Sequence, residues 1–396
     1  MSTGWQLATL EQVSTDPIVY GIVQPGEPVP AGVPFVQTRD IGSRLDITKL
    51  DRTDPKIAAA YGRSTLRPGD ILVALRSDIG SAAMVPIELD GANISRGVAR
   101  VRTGSANDSE FVRYALESPA ARDSIRMLTS GSTLRELSIG ALRQVQISVP
   151  PLAEQRKIAE ILRTWDDAID AELRLLKALN HRKTLIREKL FRLSRERGAR
   201  MVFDDILTES RNPGTTGDTA QKITVKLYGK GAVPKLGRSG SASTRYYRRS
   251  AGQLIYSKLD FLNGAFAVIP QGLDGYESTL DLPAFDIDAS VNPTWLIEYL
   301  TRPSYYTNQA HLARGQRKAR RISPTEFLAE SVGVPSRELQ DTTAIILNEA
   351  SAEVGKQQEL LAQLQIQKRG LMQKLLTGEI RVTDDVAESL GKASIV

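Results

Sequence analysis

The chain has 396 residues, with 52 Lys and Arg against 46 Asp and Glu, 41% hydrophobic and 25% charged content, and a formal net charge of +6. That length suits two or three domains with real cores, the composition is neither disordered nor fibrous, and the mild positive balance permits a polyanion partner without requiring one. The chain has no cysteine and two histidines, His181 and His311, so disulfides, thiolate zinc sites, iron–sulfur clusters and cysteine nucleophiles are excluded.

No run approaches 18 apolar residues, and the start Met1-Ser-Thr-Gly-Trp5 lacks a charged region followed by an apolar one. No membrane span or secretory leader is expected, and the expected location is cytoplasmic.

In chain order, residues 5–149 read as a mixed segment. Gly69-Asp-Ile-Leu-Val73 is a predicted strand, Ile79-Gly-Ser-Ala-Ala-Met-Val-Pro86 a Gly followed by a further strand, Glu110–Met127 a helix, and Ser130-Gly-Ser-Thr133 a polar loop. A long helical pattern follows Val149-Pro-Pro151, where the prolines force extended backbone just ahead of it, and it runs to about Phe191 before fading into Arg192, Arg195, Arg197 and Arg200. Residues from about 201 to 334 repeat the first plan: a strand at Gly252-Gln-Leu-Ile-Tyr256, a Gly and a strand over 262–270, a helix over Trp295–Leu312, and a polar loop at Gly315-Gln-Arg-Lys318. A second long helix follows Val334-Pro335 to about Leu376, with Gly378 placed for a C-cap, and no periodicity remains from about Thr383.

Shifted by 185, the two helices align without a gap: Val149, Pro150, Gln155, Leu162, Leu176, Leu179, Lys183 and Leu190 meet Val334, Pro335, Gln340, Leu347, Leu361, Leu364, Lys368 and Leu375. Within each copy the apolar residues step by four and three. The seam of the first is Ile158, Leu162, Trp165, Ile169, Leu176, Leu179, Ile186 and Leu190; that of the second includes Leu347, Val354, Leu361, Leu364, Leu371 and Leu375. This is a coiled-coil period. Polar slots recur too, Glu172 with Gln357 and Lys183 with Lys368, so the helices look built to pair with each other. Some 39 residues at helical rise span roughly 58 Å, which suits a spacer. The plan is globule, helix, globule, helix.

No catalytic constellation is visible. The chain has no P-loop and no Gly-x-Gly-x-x-Gly opening a helix. Asn292-Pro-Thr-Trp295 falls one proline short of an aminomethyltransferase tetrapeptide and reads as a helix start capped by Thr294. Asp166-Asp167 and Asp204-Asp205 read as solvated carboxylates, and His181 as solvent-facing.

Charge is the stronger signal. Between Asp218 and Asp260 stand nine cations, Lys222, Lys226, Lys230, Lys235, Arg238, Arg245, Arg248, Arg249 and Lys258, with no acid among them; a second basic loop reads Arg314-Gly-Gln-Arg-Lys-Ala-Arg-Arg321. Cations for phosphates, a flexible backbone, and Arg, Gln and Tyr to reach base edges are what a DNA-contacting surface needs. The candidates in the second globule are Lys230, Arg245, Arg248, Arg249, Lys258, Gln316, Arg317, Lys318 and Arg320. The less basic first globule offers Arg39, Arg44, Arg76, Ser77, Ser132 and Arg135, with Asp40 and Asp78 reading as turn caps.

The arrangement resembles the specificity subunit of type I restriction–modification systems. The residues that carry the likeness are Gly131-Ser-Thr-Leu134, Ile147-Ser-Val-Pro-Pro-Leu-Ala-Glu-Gln-Arg-Lys-Ile-Ala-Glu-Ile-Leu162 and Lys368-Arg-Gly-Leu-Met-Gln-Lys-Leu-Leu-Thr-Gly-Glu-Ile380, and it covers nearly the whole chain. The second copy departs from the pattern at Pro335-Ser-Arg-Glu-Leu-Gln340.

The resemblance implies an α+β chain of two mixed target-recognition domains, 1–149 and 197–334, separated by spacer helices over 150–196 and 335–382. These would pair as an antiparallel coiled coil with an internal pseudo-twofold repeat, and 383–396 would be a frayed tail. It further implies a non-catalytic subunit that reads the two halves of a split double-stranded DNA target and docks two methyltransferase subunits, with a nuclease/translocase subunit as a further partner. No cofactor is expected in this chain; S-adenosylmethionine would belong to the methyltransferase, which would flip and methylate an adenine. Two rivals stand beside this reading: a coiled-coil scaffold whose globules bind proteins and not DNA, and a self-contained methyltransferase or nuclease, against which the missing motifs argue.

Overall fold

The computed structural model describes residues 4–42, 45–129, 135–237, 240–315 and 320–382. The chain divides into two compact units, one formed by residues up to Arg174 with those from Glu359 onward, the other by Leu175–Gln358. The division therefore falls inside the two long helices, Leu152–Arg197 and Arg337–Thr377, whereas the sequence reading sets each helix apart as a segment of its own. The first helix runs six residues past the expected Phe191, and the second stops at Thr377, where Gly378 takes the left-handed conformation of a C-cap.

In the first unit, strand Gln6–Thr9 pairs antiparallel with Gln146–Val149. Between them lies a four-stranded sheet in the order Val19–Tyr20, Val98–Val101, Ile71–Ala74, Ala82–Met84, and a three-stranded sheet of Arg52–Thr53, Val33–Val36 and Asn93–Ile94. The central strand is apolar at every position because both faces are covered. Ile71 and Val73 face one cluster with Phe111, Tyr114 and Leu116, while Leu72 faces a second with Val36, Leu66 and Ile94. Helices Ser109–Ala115, Pro119–Leu128 and Ile139–Arg143 start at Asp108, Ser118 and Ser138, whose side chains accept amide hydrogens of the first turn.

The second unit repeats this layout. Ala199–Val202 pairs with Ser331–Val334, and the four-stranded order is Leu207–Ser210, Ala284–Ile287, Leu254–Tyr256, Phe266–Val268. Leu254 and Tyr256 face one cluster, Ile255 the other. Here the main cluster is aromatic: Phe203 stacks on Phe327 at 4.7 Å, and Tyr256, Phe261 and Phe266 meet edge-on or tilted. Each such pair contributes about 1 kcal/mol beyond its buried area. A three-stranded sheet of Pro213–Thr216, Arg245–Arg248 and Glu277–Ser278 and a hairpin, Ile223–Val225 with Ala232–Pro234, complete the unit.

The glycines that mark both halves of the repeat have one physical reason. Gly80 and Gly264 both sit at positive φ, and a Cβ would come within 2.8 Å of Ile125 and 2.6 Å of Tyr306 respectively. A side chain there is strained and also collides with the covering helical segment.

Within the first unit the two long-helix segments run antiparallel: Glu154 pairs with Arg381 and Asp166 with Lys368, while Ile158, Leu162 and Trp165 share a core with Leu375 and Leu376. Within the second, Arg182 reaches Glu353 at 2.6 Å, and Phe191 shares a core with Leu347. Ile158, Leu162, Trp165, Ile169, Leu179, Leu347, Val354, Leu361 and Leu375 are buried; Leu176, Ile186, Leu190, Leu364 and Leu371 are half-buried. Two expectations need correction. Asn292, not Thr294, caps its helix, by accepting from the Thr294 and Trp295 amides. Asp166 is not a free solvated carboxylate: Tyr114 Oη donates to it at 2.6 Å and Lys368 Nζ at 2.5 Å.

Candidate nucleic-acid interface

In the second unit, the hairpin and the strand Arg245–Arg248 hold most of the cations of the acid-free interval. Lys226, Lys230, Lys235, Arg245 and Arg248 are exposed; Lys222 and Lys258 are half-buried, Lys222 lying 5.7 Å from the Tyr246 ring. Among the described residues, no carboxylate lies within ion-pair distance of any of these seven. The nearest acid in the sheet, Glu277, is buried and occupied by the Thr215 amide and hydroxyl at 2.8 and 2.9 Å. A surface of uncompensated cations keeps its positive potential for an anionic ligand. Leu236, 91% exposed at the end of the hairpin, and Tyr228, held at φ 58°, add apolar contact area among these charges.

Arg249 departs from expectation. It is wholly buried, donates to Ser278 Oγ at 2.8 Å, to the Ser210 carbonyl at 2.6 Å and to the Leu282 carbonyl at 3.3 Å, and has no surface to offer a ligand. Burial pushes its guanidinium down to about 10, against the pull of Glu209 and Tyr247. Arg249 stands just past the Arg245–Arg248 ladder, where its side chain turns in to the Ser210 and Leu282 carbonyls.

The second basic loop is closed at its base by Arg314 and Arg321, which exchange backbone hydrogen bonds of 2.9 and 2.8 Å. Both are ion-paired, Arg314 with Glu326 and Arg321 with Asp281. Lys258 joins the same base, because its carbonyl accepts from the Ile322 amide. Arg320 is exposed, and Gln316, Arg317 and Lys318, like Arg238, lie outside the described residues.

The first unit differs in kind. Arg39 is exposed but lies 2.5 Å from Asp51, and Arg76 donates to both Glu136 oxygens at 2.9 Å. Ser77 is exposed at φ 60°, Arg135 is exposed, and Ser132 and Arg44 lie outside the described residues. Asp40 accepts from the Gln37 amide and Asp78 from Ser81, both closing turns. Sequence reasoning passed over Arg63, Arg67 and Arg96, which are exposed with no ion pair to a described carboxylate. They are isolated in sequence, so no charge run marked them. Arg96 shares a hollow with Glu136, the partner of Arg76. Another arginine of this unit is structural: Arg102 bridges Asp16 and Asp70 at 2.6 Å each, and these hydrogen bonds hold its guanidinium above the usual range.

Among the described residues, no group of acids and histidines is placed to hold a metal ion, and no helix is long and apolar enough to cross a membrane.

Two globules with one strand order, each carrying segments of both long helices, define a tandem-repeat protein built on long helices. Comparison with known proteins gives that class its family. Residues 35–181 match the type I restriction modification DNA specificity domain. The chain is 28% identical over 182 residues to the EcoBI type I restriction enzyme specificity subunit of Escherichia coli, covering 44% of this chain and 38% of that protein. It is 29% identical over 141 residues to the MjaIX type I restriction enzyme specificity subunit of Methanocaldococcus jannaschii, covering 35% and 32%. The matched stretch thus spans about a third of the length of these relatives. The fold is shared far more widely. The type I S subunit of M. genitalium aligns over 97% of this chain and 98% of its own with a TM-score of 0.56 at 14% identity. A chain from a type I R-M system structure on complex assembly and conformational transition aligns over 96% and 99%, with a TM-score of 0.62 at 16% identity. The family match over residues 35–181 and the two relatives indicate a type I restriction–modification specificity subunit, and the solved structures share its fold.

Proposed function

We propose that the chain is the DNA-recognition subunit of a type I restriction–modification complex, with each globule reading one half of a split target. The observation that carries this reading is the set of seven basic residues in the second globule, five exposed and two half-buried, without an ion pair to any described carboxylate. Phosphates would neutralise them and release counterions, so affinity falls with salt. Exposed Arg245, Arg248 and Arg320 are then placed among the groups that reach phosphates and base edges. In the first globule the same work falls to Arg39, Arg76, Ser77 and Arg96. Arg39 and Arg76 would exchange Asp51 and Glu136 for DNA, at a cost the second globule does not meet.

In this reading the chain carries no chemistry of its own. The helix segments, alike in both units, would present matching surfaces to two methyltransferase subunits, and a nuclease/translocase subunit would complete a restricting assembly. S-adenosylmethionine would be bound by the methyltransferase. Unlike globules suit unlike half-sites, and like helices suit like partners.

The test is co-expression of the chain with its neighbouring methyltransferase, followed by mapping of N6-methyladenine across the host genome. A split motif with one fixed gap is expected. Absence of new methylation, or methylation at a continuous motif, counts against the proposal.

A further inference from the structure

In the first unit several loops meet just past the central strand Ile71–Ala74. The Leu75 amide donates to the Gly97 carbonyl and the Leu137 amide to the Leu75 carbonyl, both at 2.9 Å, and Thr38 Oγ1 also donates to the Gly97 carbonyl at 3.2 Å. Leu75 and Leu137 are fully buried, so their chain neighbours Arg76 and Glu136 stand on fixed anchors. Ser77 follows at φ 60°, left-handed backbone that a serine seldom holds, and sets the course of the chain as it leaves Arg76. Arg76 Nη2 donates to both Glu136 oxygens at 2.9 Å, and the two side chains remain 39% and 42% exposed. Glu136 also lines a hollow of about 370 Å³ with Tyr20, Val23 and Arg96.

The second unit keeps this frame and exchanges its occupants. There the Lys258 amide donates to the Asp281 carbonyl and the Ile322 amide to the Lys258 carbonyl, each at 3.0 Å, as at Leu75. Arg321 precedes Ile322 as Glu136 precedes Leu137, and it pairs with Asp281 at 3.6 Å. An arginine–carboxylate pair thus recurs at one place in the frame, with an arginine in the second unit where the first has Glu136. Exposed ion pairs contribute little to stability, so stability does not account for the recurrence.

A lone cation at such a place would suit any phosphate. A carboxylate beside it is repelled by a duplex unless it meets a hydrogen-bond donor, and in the major groove those donors are cytosine N4 and adenine N6. Resting on the reading of the first globule as a DNA reader, we propose that Arg76 and Glu136 together specify one C·G base pair in one half of the target. Arg76 turns from Glu136 to donate to guanine O6 and N7, and Glu136 accepts from cytosine N4. Guanine O6 and cytosine N4 are hydrogen-bonded to each other within the pair, so two side chains already in contact reach both bases. An A·T pair offers the arginine a single acceptor, thymine O4, beside its adenine N6 donor, and is bound less well.

The test uses the full chain co-expressed with its neighbouring methyltransferase, with N6-methyladenine mapped for the wild type, Glu136→Gln and Arg76→Gln. The wild-type motif is expected to hold a C·G pair in one half at which both variants lose discrimination by about tenfold or more, every other position being kept. Glutamine at 136 both donates and accepts, so Glu136→Gln should admit A·T at that position. An unchanged motif in either variant overturns the proposal. So does relaxation at two different positions, or at a pair that is A·T in the wild-type motif. Loss of methylation throughout in either variant overturns it as well, because the pair would then serve affinity or folding and not base choice. Absence of any split motif from the wild type is a separate result: it removes the DNA reading itself, and this proposal with it.

Discussion

Gln155 and Gln340, 185 residues apart in the chain, make the same pair of hydrogen bonds in the two units. Gln155 Nε2 donates to the Pro150 carbonyl and its Oε1 accepts from the Asp108 amide; Gln340 Nε2 donates to Pro335 and its Oε1 accepts from Asn292. Asp108 and Asn292 are themselves the N-caps of equivalent helices. One buried amide thus ties the proline-bounded start of each long helix to the helix of its globule.

Replacing either glutamine by leucine leaves a half-buried N–H and a buried C=O unpaired, at about 1–3 kcal/mol for the buried group and less for the other. Gln155→Leu should speed hydrogen exchange at the Asp108 amide and spare Asn292, and Gln340→Leu the reverse. Unchanged protection at both amides would show that the bonds contribute little.

These two glutamines show what the sequence made legible. The repeat was readable because helix periodicity and proline boundaries are local rules, and the Gln155–Gln340 match followed from a gapless alignment. The seam was readable for the same reason. The candidate interface was readable only as a charge run. Sequence showed that Arg248 and Arg249 are adjacent cations, but not that one faces solvent and the other fills the core, because that turns on the last residue of a strand. Nor could it show that Arg39 and Arg76 are neutralised, since Asp51 and Glu136 approach only through the fold.

Arg249 and Arg245 should therefore fail differently. Arg249→Ala removes a buried side chain and takes the donor from Ser278 Oγ and the Ser210 carbonyl, while the Leu282 carbonyl keeps its bond from Ser278 Oγ, with an expected loss of about 2–4 kcal/mol in urea unfolding. Arg245→Ala should leave stability within about 0.5 kcal/mol and act on DNA affinity alone. Comparable destabilisation by both would contradict the burial contrast.

The salt dependence of DNA binding should reside mainly in the second globule. Each phosphate left without its cation lowers the slope of log affinity against log salt by about 0.9. Changing Lys226, Lys230, Lys235, Arg245 and Arg248 to Ser should flatten that slope by several units, while Arg39→Ser with Arg76→Ser should shift it by less than about one. Titrations over a range of salt decide the matter, and equal slopes in the two variants would remove the asymmetry.

The Glu154–Arg381 pair sets an acid limit on the first unit. Burial raises the Glu154 carboxyl, but hydrogen bonds from Arg381 and Trp5 outweigh it and hold it below its ordinary value. A depressed carboxylate stabilises the fold above the ordinary carboxylate range, and that contribution disappears as pH falls through the lowered value. Because Arg381 is partly exposed, the expected difference between wild type and Glu154→Gln at pH 7 is about 1 kcal/mol. Denaturant titrations at neutral and acidic pH should show that difference shrinking to nothing in acid; a constant difference would assign Glu154 a purely steric role.

Each globule is bracketed by a short ladder joining its first strand to its last, Gln6–Thr9 to Gln146–Val149 and Ala199–Val202 to Ser331–Val334. Such a ladder works as a buckle: the chain leaves each globule beside the point where it came in. Loops inside can lengthen, shorten or be exchanged while the harness of helices outside stays fixed. Evolution could therefore redraft what lies within the buckle at little cost to the frame, which accounts for helices that align without a gap around globules that share only a strand order.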